Sequence, residues 1–242
     1  MDTDTKISLA LTNYNRTDFL FESFAQVFAD ERIGEVVISD DHSDMDVYNT
    51  LLWKYNGIDK VKIFRNPVNI DCYRNKKRAV ELCSNEWVIL FDSDNIMTPS
   101  YISAIYDQRG WQNNPDYRSV IFAPEFARPH FDFRKLAGKL IDRTTIAGLL
   151  NVGNCETMLN AMNYFVNRNE YLRVWDDSGL DPVTSDSIYQ NYRWINHGNS
   201  IYILPGLQYD HRVHSGSHYQ MNNKRTAHGF HDDIINRLKQ MK

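Results

Sequence analysis

Four short apolar runs, each ending in polar residues and each separated from the next by a helix-spaced segment, constrain this chain more than any other feature. They are Lys6 to Leu11 (KISLAL), Glu35 to Ser39 (EVVIS), Lys60 to Phe64 (KVKIF) and Glu86 to Phe91 (EWVILF). Between them, Thr17 to Phe28 has helical spacing with Thr17 placed as an N-cap. Asp44 to Tyr55 is the second helical segment, and Cys72 to Cys83 is a helix with a basic face. Pro99 to Gln108 reads as a further helix, with proline in its first turn, where the missing N–H costs nothing. Strands alternating with helices predict βαβ units and a mostly parallel sheet. Right-handed crossovers then put helices on both faces. The uninterrupted apolar character of VVIS and VILF fits strands covered on both sides.

After about Gln108 the regularity stops. VIFAPEF reads as a strand ending at Pro124, and a strand near Asn163 to Val166 precedes a helix, a loop and a second helix opened by Asp186. Thr226 to Lys242 reads as a polar helix docked on the domain, with membrane-surface contact as its alternative. No repeat or linker divides the chain. Residues 1–242 are expected to form one domain, with a ligand-binding half over 1–107 and an irregular half over 108–242 that completes the site.

Composition narrows the function. With 242 residues, 42% of them hydrophobic, the chain can bury a core without staples. Its net charge of -4 shows no basic excess, which argues against a nucleic-acid partner. Cys72, Cys83 and Cys155 are odd in number and lack metal-ligand spacing, as free thiols of a reducing compartment would be. The first residues carry acids rather than the positive charge of a secretion signal, and no run is long enough to span a bilayer. The expected location is cytoplasmic.

In open parallel sheets, ligands bind beyond the C-terminal ends of the strands. Those ends carry Thr12, Tyr14 and Asn15 after the first strand, and Asp40, Asp41 and Asp44 after the second. Arg74 and Asn75 open the helix that follows the third, and Asp92, Ser93 and Asp94 end the fourth. Two carboxylates at i and i+2 where a strand ends repel one another, so that one tends to take up a proton. A hard divalent cation relieves this. Mg2+ is usually held by one or two carboxylates plus substrate phosphates, so an acidic pair without a protein cage points to a diphosphate ligand.

ISLALTNYNRTDFLFESF, VVISDDHSD, YRNKKRAVE and WVILFDSDN stand in the order and approximate spacing of family 2 glycosyltransferases, which the first 107 or so residues resemble. The resemblance implies an inverting, nucleotide-sugar-dependent enzyme of the A-type (GT-A) α/β fold. It places Thr12 and Tyr14 at the nucleotide base, with Tyr14 stacking on it, and groups Asn15 and Ser93 with the donor-binding residues. It puts Asp41 on the base or ribose, Arg74 and Asn75 near base and phosphates, Asp92 near the ribose, and Asp94 on a Mn2+ or Mg2+ ion that bridges to the diphosphate. Lys76 and Lys77 read as an exposed helix face.

The resemblance also implies a base for the acceptor hydroxyl, an Asp opening a helix. Asp186 fits, although Ser185 replaces the usual Glu, and Asp181 and the pair Asp176 and Asp177 are rivals. A histidine completing the metal shell is assigned to His211, with His214 next and His218 beyond. The expected activity is transfer from a nucleotide-diphosphate sugar, UDP-linked, to a hydroxyl on a glycan or glycolipid, with peripheral membrane contact allowed. Two alternatives stand: a haloacid-dehalogenase-like phosphatase, because VILFDSDNI is similar to that family's first motif, and an inactive sugar-nucleotide-binding module.

Overall fold

The computed structural model of the chain describes residues 5–108, 110–151, 156–178, 186–213 and 228–241. The regular half runs β1 (Ile7–Asn13), α1 (Thr17–Phe24), β2 (Ile33–Asp40), α2 (Met45–Tyr55), β3 (Val61–Arg65), α3 (Cys72–Leu82), β4 (Trp87–Asp92), β5 (Ile96–Met97) and α4 (Tyr101–Asp107). The second half runs β6 (Val120–Arg128), β7 (Phe131–Asp132), β8 (Leu140–Ile141), α5 (Arg143–Asn151), β9 (Tyr164–Asn167), α6 (Arg168–Val174), α7 (Asp186–Asn196), β10 (Ser200–Asp210) and α8 (His228–Lys239).

One sheet carries the order β3-β2-β1-β4-β9-β6-β10-β5, with β7 on β6 and β8 on β10. The expected parallel pairing holds for β3, β2, β1 and β4 and recurs between β6 and β10. Strand β9 joins the two parallel blocks by running antiparallel to both β4 and β6.

Because strand side chains alternate faces, each strand feeds two cores. Ala10, Val37, Val88, Leu90 and Val166 face one side, where Tyr73 of α3, Ile146 of α5, Trp194 of α7 and Leu238 of α8 cover them. Leu9, Leu11, Val36, Ile38, Ile89, Phe91 and Phe165 face the other, under Leu20 and Phe24 of α1, Leu51 of α2 and Tyr101 and Ile105 of α4. Helix α8 is the docked helix expected of the C-terminal segment: Ile234, Ile235 and Leu238 are buried, and it packs on α5 and α7.

Three local expectations are corrected. Thr17 is the first helical residue rather than a cap, and its hydroxyl donates to the Val47 carbonyl, tying α1 to α2. Pro99 lies before Ser100, the N-cap of α4, because β5 pairs with β10 through Met97 and the Thr98 hydroxyl donates to the Gln208 carbonyl. The chain is still committed to the sheet there, and the helix cannot start earlier. Pro124 stands inside β6 rather than at its end. The ladder to β10 shifts register between Leu204 and Gln208, next to the Pro124 pair. Proline, which has no N–H to give a ladder, is tolerated at such an irregularity.

Candidate active site

Strand register builds the site. Thr12 pairs with Ser39 of β2 on one side and Asp92 of β4 on the other, while Asn13 pairs with Asp40, which pairs with Arg65 of β3. The polar ends of four parallel strands therefore lie side by side along one edge.

The layer beneath that edge is a buried hydrogen-bond network. Asp40 is fully buried; it accepts from the Asn13 amide at 2.8 Å and from the Ser43 N–H and hydroxyl at 3.0 and 2.5 Å. Asp41, 2% exposed, accepts from the Asn66 amide at 3.0 Å and the Ile70 N–H at 2.8 Å. Burial holds its carboxyl above the ordinary value despite those two donors. Asn75 accepts from the Ser39 hydroxyl and the Asn66 amide and donates to the Ser39 carbonyl. Asn15, at φ 55°, accepts from the Asp44 N–H, and its own N–H donates to Ser43 Oγ. A buried polar group left unpaired costs more than the bond itself contributes, so such a network fixes one loop conformation. Asp41, Asn75 and Asn15 thus hold the strand-end loops in place, while the Tyr14 ring beside them is 46% exposed. Arg74 bonds Asp71 at 2.5 Å and Asp177 at 2.7 Å, drawn toward the segment after α6.

Next to this layer the acids gather. Asp92 is fixed through its backbone N–H, which donates to Asn163 Oδ1 at 2.6 Å; Asn163 sits at φ 56°, and its carbonyl accepts from the Tyr101 hydroxyl. Ser93, between the two aspartates, is buried. Asp94 meets the Arg16 guanidinium at 2.8 Å. Asp186, the first residue of α7, joins them from the far half of the chain.

One cation links two of the three acids. Lys76 Nζ lies 2.7 Å from Asp186 Oδ2 and 3.2 Å from Asp92 Oδ1. This overturns the reading of Lys76 as exposed helix face, since the residue is 8% exposed. Lys77 is half-buried rather than exposed; it pairs with Glu81 at 2.6 Å and lies over the Trp175 ring. Burial raises the Asp92 carboxyl above its ordinary value, with Lys76 opposing and Asp94 and Asp186 reinforcing. The Cys72 thiol is 3.9 Å from Asp186 and is pushed up to about 12 by burial and that carboxylate, so it stays protonated.

Sequence reasoning missed Lys76, Arg16, Asn163 and His130. For Lys76 a signal existed: it falls on the buried stripe of α3 with Tyr73, Ala79 and Val80, at helical spacing.

His211 follows β10, and its N–H donates to the Arg128 carbonyl at 2.7 Å. Its Nδ1 lies 2.9 Å from Nδ1 of His130. Burial and His130 hold the His211 imidazole below its ordinary value, while Asp94 pulls the other way. Among the described residues no three His, Cys, Asp or Glu side chains cluster to hold a metal by themselves. Asp176 and Asp177, the rivals for the base, are engaged elsewhere: Asp176 with Ser178 and Arg193, Asp177 with Arg74. Asp181, Ser185, His214 and His218 lie outside the described residues, as does Cys155. Among the described residues no helix is long and apolar enough to cross a membrane.

A family model described as Glycosyl transferase family 2 matches residues 8–145, more than half of the chain. The S. aureus TarS fragment 1-349 in complex with UDP-GlcNAc is similar at a TM-score of 0.67 and 13% identity, over 96% of this chain and 65% of that one. The same fragment with UDP gives 0.62 and 14% over 96% and 70%. GalNAc-T7 with UDP, GalNAc and Mn2+ gives 0.63 and 12% over 86% and 44%. This chain therefore spans somewhat less than two thirds of the first of these structures. At such identities the likeness establishes the fold, which is the A-type fold of those enzymes. No curated protein sequence matches the chain.

Proposed function

The chain belongs to glycosyl transferase family 2, and on that premise we propose that it moves a sugar from a nucleotide-diphosphate donor, UDP-linked, to a hydroxyl on a glycan or glycolipid acceptor, with inversion at the sugar carbon. The observation that carries this is the meeting of Asp92, Asp94 and Asp186 at the strand ends, where the other two carboxylates act on Asp92 and Lys76 joins Asp92 to Asp186. Family membership sets aside the phosphatase alternative, in which Asp92 would be a nucleophile. A UDP-linked donor is supported by the nucleotides bound in the similar TarS and GalNAc-T7 structures.

In this reading Tyr14 stacks on the base, and Thr12 and Asp92 line the path of the ribose. Arg74 reaches toward the phosphates once released from Asp71 or Asp177. Asp94 and His211 would hold Mn2+ or Mg2+, with diphosphate oxygens completing the shell. Such an ion would supply Lewis-acid stabilisation of the negative charge growing on the departing diphosphate. Arg16, already on Asp94, adds a fixed positive charge beside the leaving group. Asp186, at the opening of α7 and 2.7 Å from Lys76, accepts the proton of the attacking acceptor hydroxyl.

The test is a thermal-shift and turnover panel with UDP, GDP, CDP and dTDP, each with and without Mn2+, on wild type and Asp94→Ala, followed by transfer from the matching sugar nucleotides. A ligand at 100 times its Kd adds about 2.7 kcal/mol of stability. One nucleotide should stabilise the wild type only with metal and leave Asp94→Ala unmoved. If none stabilises at any metal concentration, the donor site is not here. Donor binding without turnover on any acceptor would favour the inactive module.

A further inference from the structure

Lys76 carries more than a charge balance. Helix α3 presents two side chains to α7 from positions three apart. The Tyr73 hydroxyl donates to Gln190 Oε1 at 2.8 Å, its ring meets Tyr189 edge-on, and Lys76 reaches Asp186 at 2.7 Å. The same Lys76 ammonium lies 3.2 Å from Asp92, whose backbone is pinned to Asn163. Asp92 belongs to the half of the molecule that binds the donor, and Asp186 to the half that completes the site. Lys76 touches both.

Resting on the assignment of Asp186 as the base, we propose that Lys76 is a positioning residue: its ammonium, clamped between Asp92 and Asp186, sets where the base stands relative to the bound donor sugar. The geometry supports this role over that of a phosphate ligand. The ammonium is nearly buried, and two of its three donors are spoken for at hydrogen-bond distance. A lysine waiting for a diphosphate would instead keep its ammonium open to solvent. A lysine ammonium is a compact point charge and fits between two single carboxylate oxygens; a guanidinium fork does not. Displacing a reacting group by about 1 Å can cost about 100-fold in rate, so a strut of this kind acts on turnover rather than on donor affinity.

The experiment measures kcat, donor KM and nucleotide-dependent thermal stabilisation for Lys76→Met, Lys76→Arg, Asp186→Asn and the double variant Lys76→Met/Asp186→Asn. The expected result is a fall in kcat of about 100-fold in Lys76→Met, with donor KM and nucleotide stabilisation unchanged. The double variant should be no slower than Asp186→Asn alone, because the strut has nothing left to position. Lys76→Met leaves two carboxylates facing each other; if it does not fold, Lys76→Arg carries the test, since it keeps the charge. It should retain donor KM and lose kcat.

A raised donor KM or lost nucleotide stabilisation in either lysine variant would make Lys76 a diphosphate ligand and overturn the proposal. So would a double variant whose losses multiply, or full kcat in Lys76→Arg or Lys76→Met beside a dead Asp186→Asn. Wild-type turnover in Asp186→Asn overturns the base assignment itself, which is a separate and recognisable failure.

Discussion

Glu35 offers a sharp test of the electrostatics that hold the sheet. It stands near the start of β2, at the edge opposite the active site, and is 3% exposed. Its carboxylate accepts from the Ser8 hydroxyl at 2.7 Å and from the Ser84 N–H and hydroxyl, and it pairs with Lys62 at 2.6 Å. Ser8 lies on β1, Lys62 on β3 and Ser84 just before β4, so one carboxylate ties together all four parallel strands. Burial alone would raise this acid; Lys62, Ser8 and Ser84 outweigh it and hold it at about 2 against an ordinary 4.5. At about 1.4 kcal/mol per tenfold change in proton affinity, the ionised form contributes roughly 3 kcal/mol. The sign follows from the lowered value. The folded state binds the proton more weakly than the unfolded chain, so the contribution is complete above about pH 4.5 and drains away as pH falls toward 2. Glu35→Gln keeps an oxygen acceptor but loses the charge. Urea unfolding of wild type and Glu35→Gln at pH 7, 5, 4 and 3 isolates this residue, because every other carboxylate titrates in both proteins. The variant should be less stable by roughly 2 to 3 kcal/mol at pH 7, and the gap should narrow steadily below pH 4.5. A gap that stays constant with pH would mean the cost is one of packing, and the charge argument would be wrong.

Asn75→Ala removes one acceptor and one donor that serve Ser39 and Asn66 under the site. It should cost about 2 kcal/mol or more in chemical denaturation, and a loss below about 0.5 kcal/mol would show that the network relaxes around the gap. Tyr14→Ala, made at an exposed ring, should leave stability unchanged and weaken nucleotide binding by about 1 to 3 kcal/mol if the ring stacks on the base as bases do on aromatics elsewhere; unchanged nucleotide affinity removes Tyr14 from the donor site. His211→Ala should raise the Mn2+ concentration needed for nucleotide stabilisation while metal-free behaviour stays as in wild type, and an unchanged Mn2+ requirement would return His211 to an ordinary loop role.

What the sequence discloses and what it hides divide along physical lines. Strands β1, β2 and β4 were legible because each is an apolar run buried on both faces, so local composition and tertiary environment agree; β3, at the sheet's edge, is only half-buried and was legible from its place in the alternation. The polar strand ends were legible too, since charge at the end of a buried strand needs a reason. Pro124 was misread because the rule that proline ends a strand is local, whereas the register shift that admits it belongs to β10, some eighty residues later. Lys76 was misread for a related reason. Its charge was weighed without its position, although Tyr73, Ala79 and Val80 mark the same stripe of α3 as buried. Burying a lysine is costly unless it is paired, so a lysine on a buried stripe implies carboxylates waiting for it. Those carboxylates are Asp92 and Asp186, one sixteen and one 110 residues further along the chain. The acids at the strand end and the acid opening α7 were each visible alone. What joins them is the cation between, and reading the helical stripe for its one charged member would have predicted that the two acids meet.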